Sequence, residues 1–169
     1  RVKFGSIEVQ LAFVDAEEYL SKSAVAREQF TQLKALRGSK EPLVVASETR
    51  SVYLPGSNII YWNPTSGLSV KGLGGKTGKD GGTTLSPAMV LLHEISHAVE
   101  NNKDTKNFEK NAMAQDEQYT TKEEHRNITT VETPAATQLG EPTRASYAGV
   151  EVQNLPTVPV SPKKKQTPR

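Results

Sequence analysis

The chain has 169 residues, the length of a single domain with room for a real core. It has no cysteine, which excludes a disulfide framework and any thiolate metal site, so a bound metal must be held by His, Asp or Glu. Its net charge is +2, but residues 151–169 carry +3 and leave the body at −1, which argues against a nucleic-acid-binding fold. No apolar run approaches membrane-spanning length, and Arg1-Val2-Lys3-Phe4 is not followed by the apolar core of a signal peptide.

Residues 2–13 read as one or two strands, because Val2, Phe4, Ile7, Val9 and Leu11 largely alternate and Gly5-Ser6 suits a turn or bulge. Asp15 then reads as the N-cap of a helix over residues 16–36. Tyr19, Leu20, Val25, Phe30, Leu33 and Leu36 fall at helical spacing, and Gly38 is its stop. Leu43-Val44-Val45 is a short buried strand. Residues 52–54 and 59–62 read as two more strands around Pro55-Gly56-Ser57-Asn58, and residues 68–70 as another after a second turn.

Residues 71–84 crowd six glycines among Lys71, Lys76 and Lys79. Gly75-Lys76-Thr77 lacks the upstream glycine and the strand-to-helix junction of a phosphate-binding loop. The segment is expected to be a mobile loop bordering a cleft. Residues 105–121 read as a loop covering one side of the site, anchored by Phe108, Met113 and Tyr119. Thr121-Lys122-Glu123-Glu124 is a capping-box pattern that starts a helix over residues 121–130. Thr133-Pro134 starts a further helix that ends at Gly140. Prolines and lysines after Val150 predict a disordered tail, which divides the chain into a domain over 1–150 and a tail over 151–169.

Residues 86–100 organise the rest. Ser86 is a good N-cap, Pro87 suits the first helical position, and an apolar helical pattern follows that contains His93-Glu94-Ile95-Ser96-His97. Four residues advance about one helical turn, so both imidazoles project from one face and can share a zinc ion. Glu94 is placed to act as general base on the attacking water. The chain has three histidines, and two of them lie here. A buried, unpaired Glu94 between them would be costly without a cation to meet.

A catalytic zinc needs a third protein ligand and an open position. No histidine follows in residues 98–104, which excludes the metzincin arrangement. Glu123-Glu124-His125-Arg126 is the best source of that ligand: either carboxylate qualifies, and His125 is an alternative. Arg144 and Tyr147 form a further pair suited to stabilising an oxyanion, an effect worth roughly 2.7–4 kcal/mol per donor.

The order His93-Glu94-x-x-His97, Glu123-Glu124-x-Arg126, Glu132, Arg144-x-x-Tyr147 resembles the NleD-like bacterial effector metallopeptidases and, more distantly, the clostridial neurotoxin light chains. Ile60-Tyr61-Trp62-Asn63-Pro64 and Gly140-Glu141-Pro142-Thr143-Arg144 are also similar to the first group, and the resemblance spans roughly residues 58–148. It implies a compact α+β zincin-like domain of the gluzincin type, with a small twisted sheet and one zinc per chain. It implies His93, His97 and Glu124 as zinc ligands, Glu94 as catalytic base, and Arg144 and Tyr147 as transition-state stabilisers. Glu123 and Glu132 would support the ligands from behind. The implied activity is a zinc endopeptidase, secreted by a bacterium and acting as a monomer inside a host or rival cell. Its substrate would be a protein, with host kinases among those cut by the family. Two alternatives stand beside it: a zinc hydrolase of another amide or ester, and a non-catalytic binding module with a structural metal.

Overall fold

The computed structural model describes residues 2–71 and 73–160. It mixes helix and strand in an α+β arrangement around one helix. In chain order the first elements are β1 (Lys3–Phe4), α1 (Ile7–Leu20), α2 (Ala24–Ala35), β2 (Leu43–Ala46), β3 (Val52–Leu54) and β4 (Ile59–Trp62). Next come β5 (Gly67–Ser69), β6 (Thr84–Leu85), α3 (Pro87–Lys103) and α4 (Thr105–Met113). The last are β7 (Gln115–Asp116), β8 (Thr120–Thr121), α5 (Lys122–Asn127), a π-helical turn (Ile128–Glu132), α6 (Thr133–Leu139) and β9 (Val150–Val152). Among the described residues no helix is long and apolar enough to cross a membrane.

The main sheet has the order β1-β2-β4-β3, with β1, β2 and β4 parallel and β3 antiparallel at one edge. The β3–β4 hairpin forms around the expected turn, where Asn58 takes a positive φ of 53°. Helix α3 is the hub and packs against α1, α2, α4, β3, β5 and the π turn. Ser86 caps it by accepting from Met89 N–H at 3.2 Å, with Pro87 in the first turn, as expected. Leu91, Leu92, Ile95 and Ala98 are fully buried, and the Trp62 indole N–H donates to the Pro87 carbonyl at 3.0 Å. Burial on nearly every side of α3 lets its polar residues be held from several directions at once.

The N-terminal third departs from the expectation. Residues 7–13 are helix rather than strand, and Asp15 lies inside α1 instead of capping a helix. Ser6 is the cap, accepting from Val9 N–H. The buried residues Val9, Phe13, Ala16 and Leu20 follow a helical stripe, whereas Ile7, Leu11 and Val14 are exposed. Those exposed apolar residues produced the false alternation. The predicted single helix is also two: α1 ends at Leu20, and Ser23 caps α2 by accepting from Ala26 N–H.

Two further corrections bear on the site. Residues 105–121 are not a plain loop but α4 followed by the β7–β8 hairpin. Phe108 and Tyr119 anchor them as expected, while Met113 is 79% exposed. Residues 150–160 belong to the fold rather than to a disordered tail. Strand β9 pairs antiparallel with β5, Leu155 N–H donates to the Thr65 carbonyl, and the Thr157 carbonyl accepts from Ala88 N–H in the first turn of α3. The three-lysine run expected in the tail lies outside the described residues.

Candidate metal centre

His93 and His97 sit one turn apart on α3, and their Nε2 atoms face each other at 3.1 Å. Glu124 reaches the same point from α5: its Oε2 lies 3.1 Å from His93 Nε2 and its Oε1 3.2 Å from His97 Nε2. The three donor groups form a cluster that could hold a metal ion. Donors about 2.0–2.1 Å from a tetrahedral zinc lie about 3.3 Å from one another, close to the separations here. Glu124 Oε2 is buried and receives no well-aligned hydrogen bond among the described residues. Two imidazole nitrogens and a carboxylate oxygen that converge in this way repel one another unless a cation or a proton lies among them.

Each histidine is oriented from behind. Glu132 Oε2 lies 2.8 Å from His93 Nδ1, and Glu123 Oε1 lies 2.9 Å from His97 Nδ1. A proton on each Nδ1 turns the Nε2 lone pairs towards the shared point. Each supporting carboxylate has its own arginine: Arg144 donates to both oxygens of Glu132, and Arg126 to both oxygens of Glu123. Burial pushes the Glu132 carboxyl up, but the Arg144 charge and the His93 bond outweigh it and hold it below the usual range. Glu123 is lowered in the same manner against burial, by Arg126 and His97. Burial opposes protonation of His93, yet the carboxylates of Glu124 and Glu132 raise its pKa to about 10. A proton therefore occupies the cluster at neutral pH when no metal does.

The turn between α5 and α6 makes this double support possible. Nine residues separate Glu123 from Glu132, and in a regular α-helix that places them about 180° apart. In the wider π turn, Thr133 N–H reaches back five residues to the Ile128 carbonyl. The helix is underwound there, and both glutamates meet the face of α3. The hydroxyls of Thr129 and Thr130 donate to the carbonyls of His125 and Arg126, which shores up the irregular turn. Thr121 caps α5 through Glu124 N–H, as the capping-box pattern predicts, but the Glu124 carboxylate turns to the histidines.

Glu94 lies in the next position along α3, and its Oε2 accepts the Tyr53 backbone N–H from the edge strand β3 at 2.7 Å. Sequence reasoning missed this contact, because a main-chain donor leaves no signature in residue type. Arg126 appeared there only inside a motif, and Asn127, whose side chain donates to the His93 carbonyl, not at all. His125 is not part of the cluster. It is half exposed and bonded to Asp116 at 2.8 Å, so a closed site with four protein ligands does not form around it.

The cluster floors a cleft of about 600 Å³ between β3 on one side and residues 147–151 on the other. Arg144 and Tyr147 both line it, but their situations differ. The Arg144 guanidinium is buried and engaged by Glu132 and by the Tyr147 carbonyl. Tyr147 is 45% exposed and its ring stacks on that guanidinium. Burial, then the Glu124 charge, raise its hydroxyl pKa, which keeps it a proton donor. Arg144 therefore holds Glu132 and the Tyr147 carbonyl in place beside His93, while the Tyr147 side chain lines the cleft.

The glycine-rich segment does not border the cleft, since none of its described residues lines it. It straps down the stretch that carries Arg144. Thr143 N–H donates to the Lys76 carbonyl, and Lys79 N–H to the Gly140 carbonyl. A Cβ on Gly75 would overlap the Thr143 carbonyl oxygen, and one on Gly78 would lie 2.7 Å from the Gly140 oxygen. The glycines thus permit close approach of two backbones. Gly75→Ala is expected to destabilise the fold by about 1–3 kcal/mol in chemical denaturation, as overpacking does. Gly82→Ala, with open space around it, is the neutral control.

Compared with known protein families, curated proteins and solved structures, the chain matches none.

Proposed function

We propose that this chain is a zinc-dependent endopeptidase with a zincin-like fold of the gluzincin type, related to the NleD-like effectors. The observation that carries the reading is the convergence of His93, His97 and Glu124 on one point beside Glu94, at the floor of an open cleft. A zinc ion held by His93, His97 and Glu124 would supply Lewis acidity, polarising a carbonyl and lowering the pKa of water to about 7. Glu94 takes the proton of the attacking water as the new C–O bond forms, and gives it to the amine nitrogen as the C–N bond breaks. The Tyr53 N–H holds one Glu94 oxygen and leaves the other for that transfer. The Tyr147 hydroxyl donates to the oxyanion. A peptide is favoured over a smaller amide because β3 is a sheet edge along the cleft wall, where extended chains bind by adding a strand. The binding-module alternative is disfavoured by His125, which is bonded away from the cluster.

By the likeness of its motifs, the same reading makes the chain a bacterial effector that acts on a protein inside another cell. The test is to map new protein termini in cell extract exposed to the zinc-loaded chain, with a chelator control. Termini that recur at a few sites and vanish with chelator are expected. Identical termini in both samples would overturn the reading.

A further inference from the structure

One cation that lines the cleft has no part in the hydrolysis proposed above. The cleft lining carries five carboxylates, those of Glu94, Glu123, Glu124, Glu132 and Glu151, against the guanidinium groups of Arg50 and Arg144. Arg144 is spent on Glu132, and Glu123 is matched by Arg126. Arg50 differs from both. It is exposed, lines the cleft and forms no ion pair among the described residues. It stands just before β3, three residues from Tyr53, where Glu94 meets the strand edge. At about 3.3 Å per extended residue, its backbone is about 10 Å along the strand from that point. Its charge is felt across the cleft: burial and Glu124 raise the Tyr147 hydroxyl, and Arg144 and Arg50 oppose the rise.

We propose that Arg50 is a specificity residue that pairs with a carboxylate side chain of the substrate, within about three residues of the bond that is cut. The proposal rests on the endopeptidase reading above. A guanidinium forks onto a carboxylate through two parallel N–H donors, so Asp and Glu are selected and Lys and Arg are repelled. An exposed pair of this kind gives about a fivefold preference, which shrinks as salt screens it. The Arg50 side chain is outside the core, and its carbonyl still accepts from Ser47 whatever the side chain, so substitutions here leave the fold intact.

The experiment has two arms. In the first, the zinc-loaded chain, Arg50→Ala and Arg50→Glu each digest a mixed peptide library, and the new termini are sequenced. Asp and Glu should be enriched about fivefold at one position near the cut, lose that enrichment in Arg50→Ala, and give way to Lys and Arg in Arg50→Glu. Cleavage without acidic preference, or an acidic preference that survives Arg50→Glu, overturns the proposal. In the second arm, zinc-loaded Glu94→Gln binds fluorescent peptides that differ only in carrying Asp or Lys, with and without Arg50→Glu. If no library member is cut but Asp peptides still bind through Arg50, the endopeptidase reading fails and recognition by Arg50 stands. If Asp and Lys peptides bind alike, recognition by Arg50 fails.

Discussion

Replacing Glu94 by glutamine should abolish hydrolysis and leave the metal in place. Loss of a general base costs about 10²–10⁴ in rate, the largest effect expected of any single substitution outside the ligands. Glutamine keeps the shape of the side chain and a carbonyl oxygen, so the Tyr53 N–H retains its acceptor. Glu94 is not one of the converging donors, so metal affinity should change little. Alanine at the same position is a poorer test, because it strands the Tyr53 N–H beside a buried helix. Turnover of a mapped peptide, measured beside zinc content by elemental analysis, separates the two effects. A Glu94→Gln protein that keeps the full rate would remove Glu94 from the chemistry.

Metal removal should be the largest perturbation of stability. A ligand at a thousand times its dissociation constant stabilises the fold by about 4.1 kcal/mol. At about 2–4 °C per kcal/mol for a chain of this size, chelation should lower Tm by about 8–16 °C. The pH dependence should also change. In the metal-free protein the folded His93 has a pKa of about 10 against an ordinary 6.5. That excess stabilises the fold fully below pH 6.5 and is lost as pH rises towards 10. In the zinc-loaded protein His93 carries no proton, so zinc affinity rises over the same range and offsets that loss, leaving stability nearly flat above pH 6.5. Thermal melts at several pH values, with zinc and with chelator, should therefore diverge. Parallel curves would mean that His93 does not exchange its proton for the metal.

How much of this was legible in the residues depended on distance along the chain. The two histidines and Glu94 were readable because one helical turn sets their geometry, and α3 carries both its start signals in sequence. The second helix was also located by a local signal, the cap at Thr121. Glu123 and Glu124 could not be separated in that way. Adjacent residues both reach α3, one behind His97 and one in front of it, and only the packing of α5 on α3 decides which is which.

The failures share a physical origin. In α1 the sequence places apolar residues on both faces, so alternation outweighed the helical stripe that is actually buried. The role of the glycine-rich strap depends on Thr143, far along the chain, and glycine spacing says nothing of a backbone approaching from there. Residues 150–160 carry two prolines and run into the basic end of the chain, which reads as tail, but they are held by main-chain bonds to β5, Thr65 and the start of α3, which composition does not register. The π turn was invisible for the same reason: two ordinary helix signals flank it, and its widening appears only when both Glu123 and Glu132 must reach one helix.

X-ray absorption at the zinc edge, on chain loaded with one equivalent of zinc, tests the convergence itself. The account predicts one ion per chain with nitrogen and oxygen neighbours at about 2.0–2.1 Å. Two of these should be imidazoles, one should be a carboxylate that disappears in Glu124→Ala, and one site should be exchangeable with solvent. A chain that takes up no zinc, or one whose zinc environment is unchanged by Glu124→Ala, would contradict it.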